Sequence, residues 1–219
     1  MKWALFDGLP EADVREVLAI ARRRKFSRGE VVFHQEDPAD TLHLVVKGRF
    51  AVRVATRLGD TVVLAVVGPG DMFGELSLLG DEAVRRSATV AALEAGETQS
   101  VHQIDFDRLR RRRPETSEVL IAILAAQVRR LSDHLVEALY VSADKRVLRR
   151  LVDLTATYAH DDGSEATIPL TQEDMAGLAG TSRATVNRVL REEEERGSVR
   201  LARGLTTILD LDALSARAR

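Results

Sequence analysis

The chain has 219 residues, 45% of them hydrophobic, 30% charged and only 4% aromatic, enough apolar material for one large core or two small ones and too much for wholesale disorder. Its 32 basic and 34 acidic residues leave a formal charge of −2, which demands neither a nucleic-acid nor a membrane partner, although a local basic patch can hide inside that balance. The absence of cysteine excludes disulfides, thiolate nucleophiles, zinc fingers and cysteine-held iron–sulfur clusters. Met1–Pro10 lacks a signal-peptide core and no stretch approaches the roughly 18 apolar residues of a membrane span. The expectation is therefore a cytoplasmic protein with no membrane partner.

Pro10 to Arg23 places Val14, Val17, Leu18 and Ala21 on one face of a short helix. From about Glu30 to Ile104 the chain turns into short β-rich runs: Val31–His34, Leu42–Lys47, Phe50–Thr56, Thr61–Val67, Ala88–Ala92 and Gln99–Ile104. Glycines fall between them, as expected of a small antiparallel sandwich or roll. Pro114 to Ser142 reads as one long helix with a proline and two glutamates in its first turn. Leu120, Leu124, Gln127, Leu131, His134, Ala138 and Val141 make a heptad seam, and Ile121, Val128 and Leu135 make a second stripe. We assign the seam to a parallel homodimer and the second stripe to the β-roll; the competing reading is an amphipathic helix folded onto its own domain. A hinge is expected near Val141–Ala143. Beyond it come a helix over Lys145–His160, a turn at 161–164, helices over Gln172–Ala179 and Arg183–Arg196, and a hairpin pairing Val199–Ala202 with Thr206–Leu211. Glu192–Glu195 reads as a solvated face.

Two segments carry chemistry. In the run from Leu170 to Leu190, Thr171 is an N-cap with Asp174 three residues on, Gly180 ends the first helix and Ser182 caps the second. Val186, Val189 and Leu190 face inward, leaving Arg183, Ala184, Asn187 and Arg188 outward. That is the pattern of a helix-turn-helix presenting Arg and Asn to a groove, where Arg can bridge guanine O6 and N7 and Asn can pair with adenine. The hydroxyls of Thr171 and Ser182, with Gln172 beside them, suit phosphates. From Ala143 onward there are twelve basic and thirteen acidic residues, so non-specific affinity for DNA is expected to be weak and salt-dependent.

The other segment is Gly68-Pro-Gly-Asp-Met-Phe-Gly-Glu-Leu-Ser-Leu-Leu79 followed by Arg85-Arg-Ser-Ala-Thr-Val90. Gly74 permits close backbone approach to a ligand, Glu75–Leu78 begins a short helix whose N–H groups suit an anion, and Arg86 and Ser87 return with a guanidinium fork and a hydroxyl for the same phosphate. Glu75 is then free to accept from a ribose hydroxyl. Residue types alone support equally well a structural salt bridge between Glu75 and Arg86.

The order of these pieces, with Phe-Gly-Glu-Leu-Ser-Leu-Leu, Arg-Ser-Ala-Thr-Val and Ser-Arg-Ala-Thr-Val-Asn-Arg, resembles the Crp/Fnr family of bacterial transcription regulators over nearly the whole chain. The resemblance implies an α+β protein: a cyclic-nucleotide-binding-like antiparallel β-roll over 1–113, a dimerisation helix and hinge over 114–142, and a C-terminal winged helix-turn-helix over 143–219. It implies a regulator rather than an enzyme, a homodimer on double-stranded DNA with a near-palindromic operator, contact with RNA polymerase, and cyclic AMP as effector without a metal. In relatives that bind cyclic AMP, the positions matching Gly74, Glu75, Leu76, Ser77, Arg86 and Ser87 hold ribose and phosphate. The hydroxyl pair that reaches the adenine falls on Leu131 and Ser132, of which only Ser132 can hydrogen-bond. Ala184 replaces the glutamate that accepts from cytosine, so the preferred half-site is expected to differ there. The spacer 80–85 looks slightly longer than in many such relatives. The alternatives are the same DNA-binding dimer gated by haem or another anion or by no ligand, and a cyclic-nucleotide-binding module whose helix-turn-helix contacts protein. The five histidines show no metal-ligand spacing, and His134 is the one to watch as a pH or haem sensor.

Overall fold

The computed structural model describes residues 2–56, 61–79, 84–158 and 165–219. They form two compact units, Met1–Ala55 with Val66–Leu131, and Thr56–Ala65 with Ser132–Arg219.

The chain runs through α1 (Glu11–Ile20), β1 (Arg22–Phe26), β2 (Val31–Phe33), β3 (Thr41–Lys47), β4 (Phe50–Ala55), β5 (Thr61–Val67), β6 (Met72–Phe73), β7 (Thr89–Ala92) and β8 (Gly96–His102), all in the first unit except the Thr61–Ala65 part of β5. Two four-stranded sheets result, ordered β1-β8-β3-β6 and β2-β7-β4-β5. β1 corrects the expected reach of the first helix: Arg22 and Arg23 pair with Ser100 and Gln99 of β8 instead. A charged edge strand of this kind resists pairing with a stranger, which is why its Arg-Arg-Arg-Lys text does not read as β. A second omission is α2 (Gln103–Arg112), capped by His102 accepting from the Ile104 amide and burying Phe106 and Leu109.

Two clusters make the core of this unit. One joins Phe26, Phe50, Phe73, Val45 and Val90; the other joins Trp3, Leu5, Phe6, Leu42, Leu44, Phe106 and Leu109. Helix α3 (Glu115–Tyr140) closes the second cluster with Leu120, against which Ile123 and Leu124 also pack. Burying a leucine here contributes about 1.5–3 kcal/mol. The expected place of the second stripe on this helix is thereby corrected. The seam residues Leu120 and Leu124 cover the unit's own core, while Ile121, Val128 and Leu135, expected against the roll, are 64%, 62% and 61% exposed. Both stripes are apolar, and only the positions of the strands decide which one they cover.

In the second unit α4 (Ala143–Tyr158), β9 (Thr167–Ile168), α5 (Gln172–Ala179), α6 (Arg183–Glu195), β10 (Val199–Ala202), β11 (Leu205–Ile208) and α7 (Leu211–Ala218) form a helical core with a three-stranded sheet ordered β10-β11-β9. The break between α3 and α4 falls where the hinge was expected. Val147, Leu151, Val186 and Leu214 are fully buried. The last of these belongs to α7, a helix that the residue pattern alone does not suggest.

The acidic run also needs correcting. Glu193 is buried, accepts from Arg196 Nη1 at 2.7 Å and Arg217 Nε at 3.0 Å, and so ties α6 to α7. Burial raises its pKa, and the hydrogen bonds from Arg217 and Arg196 outweigh that and hold it below the usual carboxylate range. Glu194 accepts from the Leu201 amide of the wing at 3.0 Å. The turn at 161–164, His160 and spacer residues 80–83 lie outside the described residues.

Candidate functional site

Gly74 has φ 80°, the left-handed region that favours glycine, and starts a single 3-10 turn over Glu75–Leu78. A Cβ at this position would lie 2.7 Å from Arg86 Nη1 and 3.0 Å from the Thr41 carbonyl, so the absence of a side chain is what admits the guanidinium. Ser77 donates its hydroxyl to the Gly74 carbonyl at 2.7 Å, closing the turn. The turn is four residues long, shorter than the helix expected, and its dipole is correspondingly small.

Arg86 is only 5% exposed. Its Nη1 donates to the Thr41 carbonyl at 2.7 Å and its Nη2 to the Thr41 hydroxyl at 2.8 Å. The guanidinium lies over the Phe33 ring, 4.0 Å from its centroid, and its buried Nε has no hydrogen-bond partner. Among the described residues the acid in ion-pair range, Asp40, is 4.0 Å away and largely exposed. Burial pushes the Arg86 pKa down, against the pull of Asp40, Asp37 and Glu75. The structural salt bridge between Glu75 and Arg86 is not formed. Glu75 is buried and accepts instead from Gln127 Nε2 of α3 at 3.0 Å. By spacing Gln127 is only a seam residue, and its polar side chain on an apolar face was the available signal. Gly74, Glu75, Ser77 and Arg86 are thus brought together, with Ser87 exposed beside them and Leu76 half exposed. Ser132 lies on α3 in the second unit, exposed.

Beneath this cassette His43 is buried, stacked on Phe73 with centroids 5.0 Å apart, and bonded through Nδ1 to the Thr98 hydroxyl at 3.1 Å. Burial, and then the Arg86 and Arg24 charges, push its pKa down to about 3. Nε2 of His134 is engaged by Arg150 Nη1 at 2.6 Å. Among the described residues no group of three or more His, Asp or Glu is placed to hold a metal.

In the second unit both caps form as read: the Thr171 hydroxyl and Asp174 make a reciprocal capping box, and Ser182 accepts from the Thr185 amide at 3.1 Å. Gly180 takes the left-handed φ of 59° that stops α5. Arg183, Ala184, Asn187 and Arg188 are all exposed on α6, opposite Val186, Val189 and Leu190. Asn187 Nδ2 donates to Gln172 Oε1 at 3.1 Å. Arg188 donates through Nη2 to Asp144 at 2.5 Å and through Nη1 to Glu192 at 2.8 Å. These two bonds hold its pKa above the ordinary arginine value. Arg183 and Arg203 are exposed with no acidic partner among the described residues, and Arg200 faces Glu165 at 3.5 Å.

Residues 23–113 match the cyclic nucleotide-binding domain family and residues 145–217 the Crp-like helix-turn-helix domain family. A CRP-like cAMP-activated global transcriptional regulator of Mycobacterium tuberculosis is 32% identical over 98% of this chain and 96% of its own length. This chain belongs to the Crp/Fnr family of transcription regulators. Another Crp/Fnr relative, the cyclic AMP receptor protein of Thermus thermophilus, is 35% identical over 93% of this chain and 91% of that one. The crystal structure of the Thermus thermophilus catabolite activator protein aligns with a TM-score of 0.56 at 34% identity, covering 98% of both chains. A c-di-GMP responsive regulator of Xanthomonas campestris shares the fold, with a TM-score of 0.75 at 20% identity, covering 91% of this chain and 99% of that one. The Crp/Fnr family comprises regulators rather than enzymes, and no helix among the described residues is long and apolar enough to cross a membrane.

Proposed function

We propose that the protein is a homodimeric regulator whose affinity for a near-palindromic operator is controlled by cyclic AMP in the cassette of Gly74, Glu75, Leu76, Ser77, Arg86 and Ser87. The observation that carries this reading is Arg86: a buried guanidinium whose hydrogen bonds among the described residues go to neutral oxygens, with its Nε unpaired and its ion-pair partner, the largely exposed Asp40, 4.0 Å away. A buried charge whose counter-charge is distant and solvated is costly, and an anion arriving beside Gly74 relieves that cost. Glu75, steadied on one oxygen by Gln127, keeps its other oxygen for a ribose hydroxyl. The named relatives from Mycobacterium tuberculosis and Thermus thermophilus support the choice of cyclic AMP. Leu131 offers no hydrogen bond to a base, so selectivity for adenine rests on Ser132 and on shape.

Homodimerisation is supported by the exposed stripe of Ile121, Val128, Leu135 and Leu139 on one face of α3. Residues 1–113 then serve as effector domain, 114–142 as dimer helix and 143–219 as DNA reader, where Thr171, Gln172 and Ser182 take phosphates and Arg183, Ala184, Asn187 and Arg188 face bases. Ordering of the dimer helix by ligand shifts the population toward one spacing of the two reading helices, matched to grooves about 34 Å apart.

Isothermal titration of the protein with cyclic AMP, and in parallel with cyclic GMP, tests the reading. Micromolar or tighter binding of cyclic AMP, lost in Arg86→Ala, is the expected result. Unchanged affinity in that variant removes the cassette from the site, and no binding of either nucleotide moves the effector to another anion. Sedimentation of Leu135→Glu as a monomer, where the parent is a dimer, is expected for the helix.

A further inference from the structure

Among the described residues, the face of α6 that the proposed function turns toward DNA is already occupied by the protein itself. Asn187 is spent on Gln172, and both terminal nitrogens of Arg188 are spent on carboxylates, Asp144 from the first turn of α4 and Glu192 from the next turn of α6. All three partners in that ion triad stay about half exposed, so nothing in the packing forces the arrangement, and the geometry alone holds it. Arg183, five residues earlier and also exposed, has no such carboxylates among the described residues.

The geometry points to Asp144 and Glu192 as a carboxylate clamp that withholds Arg188 from the DNA backbone and releases it only to a base edge that offers two acceptors. The inference rests on the DNA-reading role given to Arg188 above. A phosphate approaching Arg188 meets a guanidinium already neutralised by two acids, and the acids themselves repel it. Guanine O6 and N7 present neutral acceptors in the fork geometry that the guanidinium fits, so the exchange of partners there is opposed by less repulsion. The clamp therefore lowers binding to arbitrary sequence more than binding to the cognate site. Asp144 and Glu192 are specificity-determining residues that never touch a base.

The test uses the full-length protein, saturated with whichever nucleotide binds it or free if none does. Two probes are needed: a duplex of random sequence about three helical turns long, and a duplex enriched from a random library by the parent protein. Asp144→Asn keeps the side chain's shape and removes its charge. It is expected to tighten binding to the random duplex roughly three-fold, as an exposed ion pair of ordinary strength would allow, to change the enriched duplex less, and so to narrow the ratio between them. The decisive arm is the double variant Asp144→Asn/Arg188→Ala, in which the gain is expected to vanish relative to Arg188→Ala alone. The same gain in the double variant would reduce the effect to lost negative charge and overturn the clamp. Weaker binding by Asp144→Asn to both duplexes would make Asp144 an aid to Arg188 instead and overturn it too. An Arg188→Ala variant that binds the enriched duplex like the parent would bring down the reading of Arg188 itself, a failure separate from that of the clamp.

Discussion

Arg86 and Arg188 are the same residue prepared in opposite ways. Arg86 is buried against Phe33 and the Gly74 backbone, hydrogen-bonded to the neutral oxygens of Thr41 with the exposed Asp40 only at 4.0 Å, and its pKa is pushed down by burial. Arg188 is exposed, bonded to two carboxylates, and its pKa is pushed up. In a medium of low effective dielectric a weakly compensated cation draws a single anion strongly and with little interference from salt. At the surface, a compensated cation gives an interaction that is weak, salt-sensitive and easily exchanged. The first suits capture of one small molecule, the second a search along a polyanion where most contacts must be released.

That contrast can be broken or sharpened by experiment. The largest effect on stability is expected at Glu193, whose charge, unlike that of Arg86, is buried with full compensation. Replacing it by Ala removes the hydrogen bonds that tie α6 to α7 and leaves a cavity between them, and should cost about 2–3 kcal/mol in the stability of the second unit, visible as a lowered denaturant midpoint. Arg86→Met should do the reverse: little loss of stability, or a small gain, because a weakly compensated buried charge has been removed, together with loss of about 2–4 kcal/mol of nucleotide affinity. A marked fall in stability would make Arg86 a structural residue. Arg188→Ala should weaken binding to the cognate site roughly ten- to a hundred-fold and barely affect random DNA, measured by fluorescence anisotropy at two salt concentrations.

The smallest effect is a pH dependence under the cassette. Native His43 stays neutral down to about pH 3, whereas in the unfolded chain it takes a proton near the ordinary histidine value of 6.5. The unfolded state thus binds more protons between those limits, so His43 contributes stability in full above about 6.5 and progressively loses it as pH falls toward 3. Denaturation at about pH 7.5 and about pH 5 should show this drop, and His43→Phe should flatten it.

The reading helix was legible in the sequence because its signals are local. Thr171, Gly180 and Ser182 each act within one turn, and the inward and outward residues of α6 follow from the helical period. The cassette was half legible. Gly74 and Arg86 were recognisable by type, but that Arg86 bonds Thr41 while Glu75 turns to Gln127 depends on strands and a helix that meet across tens of residues. Which residues of α3 meet the core is illegible for the same reason: Leu120 and Leu124 of the seam are covered by the unit's own core, while Ile121, Val128 and Leu135, the more apolar stripe, are exposed. The glutamates at 192–195 read as solvent-facing because a run of like charges usually is. In the structure the first three hold different partners: Glu192 binds Arg188, Glu193 binds Arg196 and Arg217, and Glu194 binds the wing amide of Leu201.

The tie between Glu193 and Arg217 has a practical side. Arg217 stands two residues from the end of the sequence, and its Nη2 also donates to the Ser198 hydroxyl at 2.5 Å. Replacing Arg217 by Ala would keep Arg183, Asn187 and Arg188 in place and yet lose the strut that ties α6 to α7. Such a protein should melt earlier in its second unit and leave the first unit unchanged.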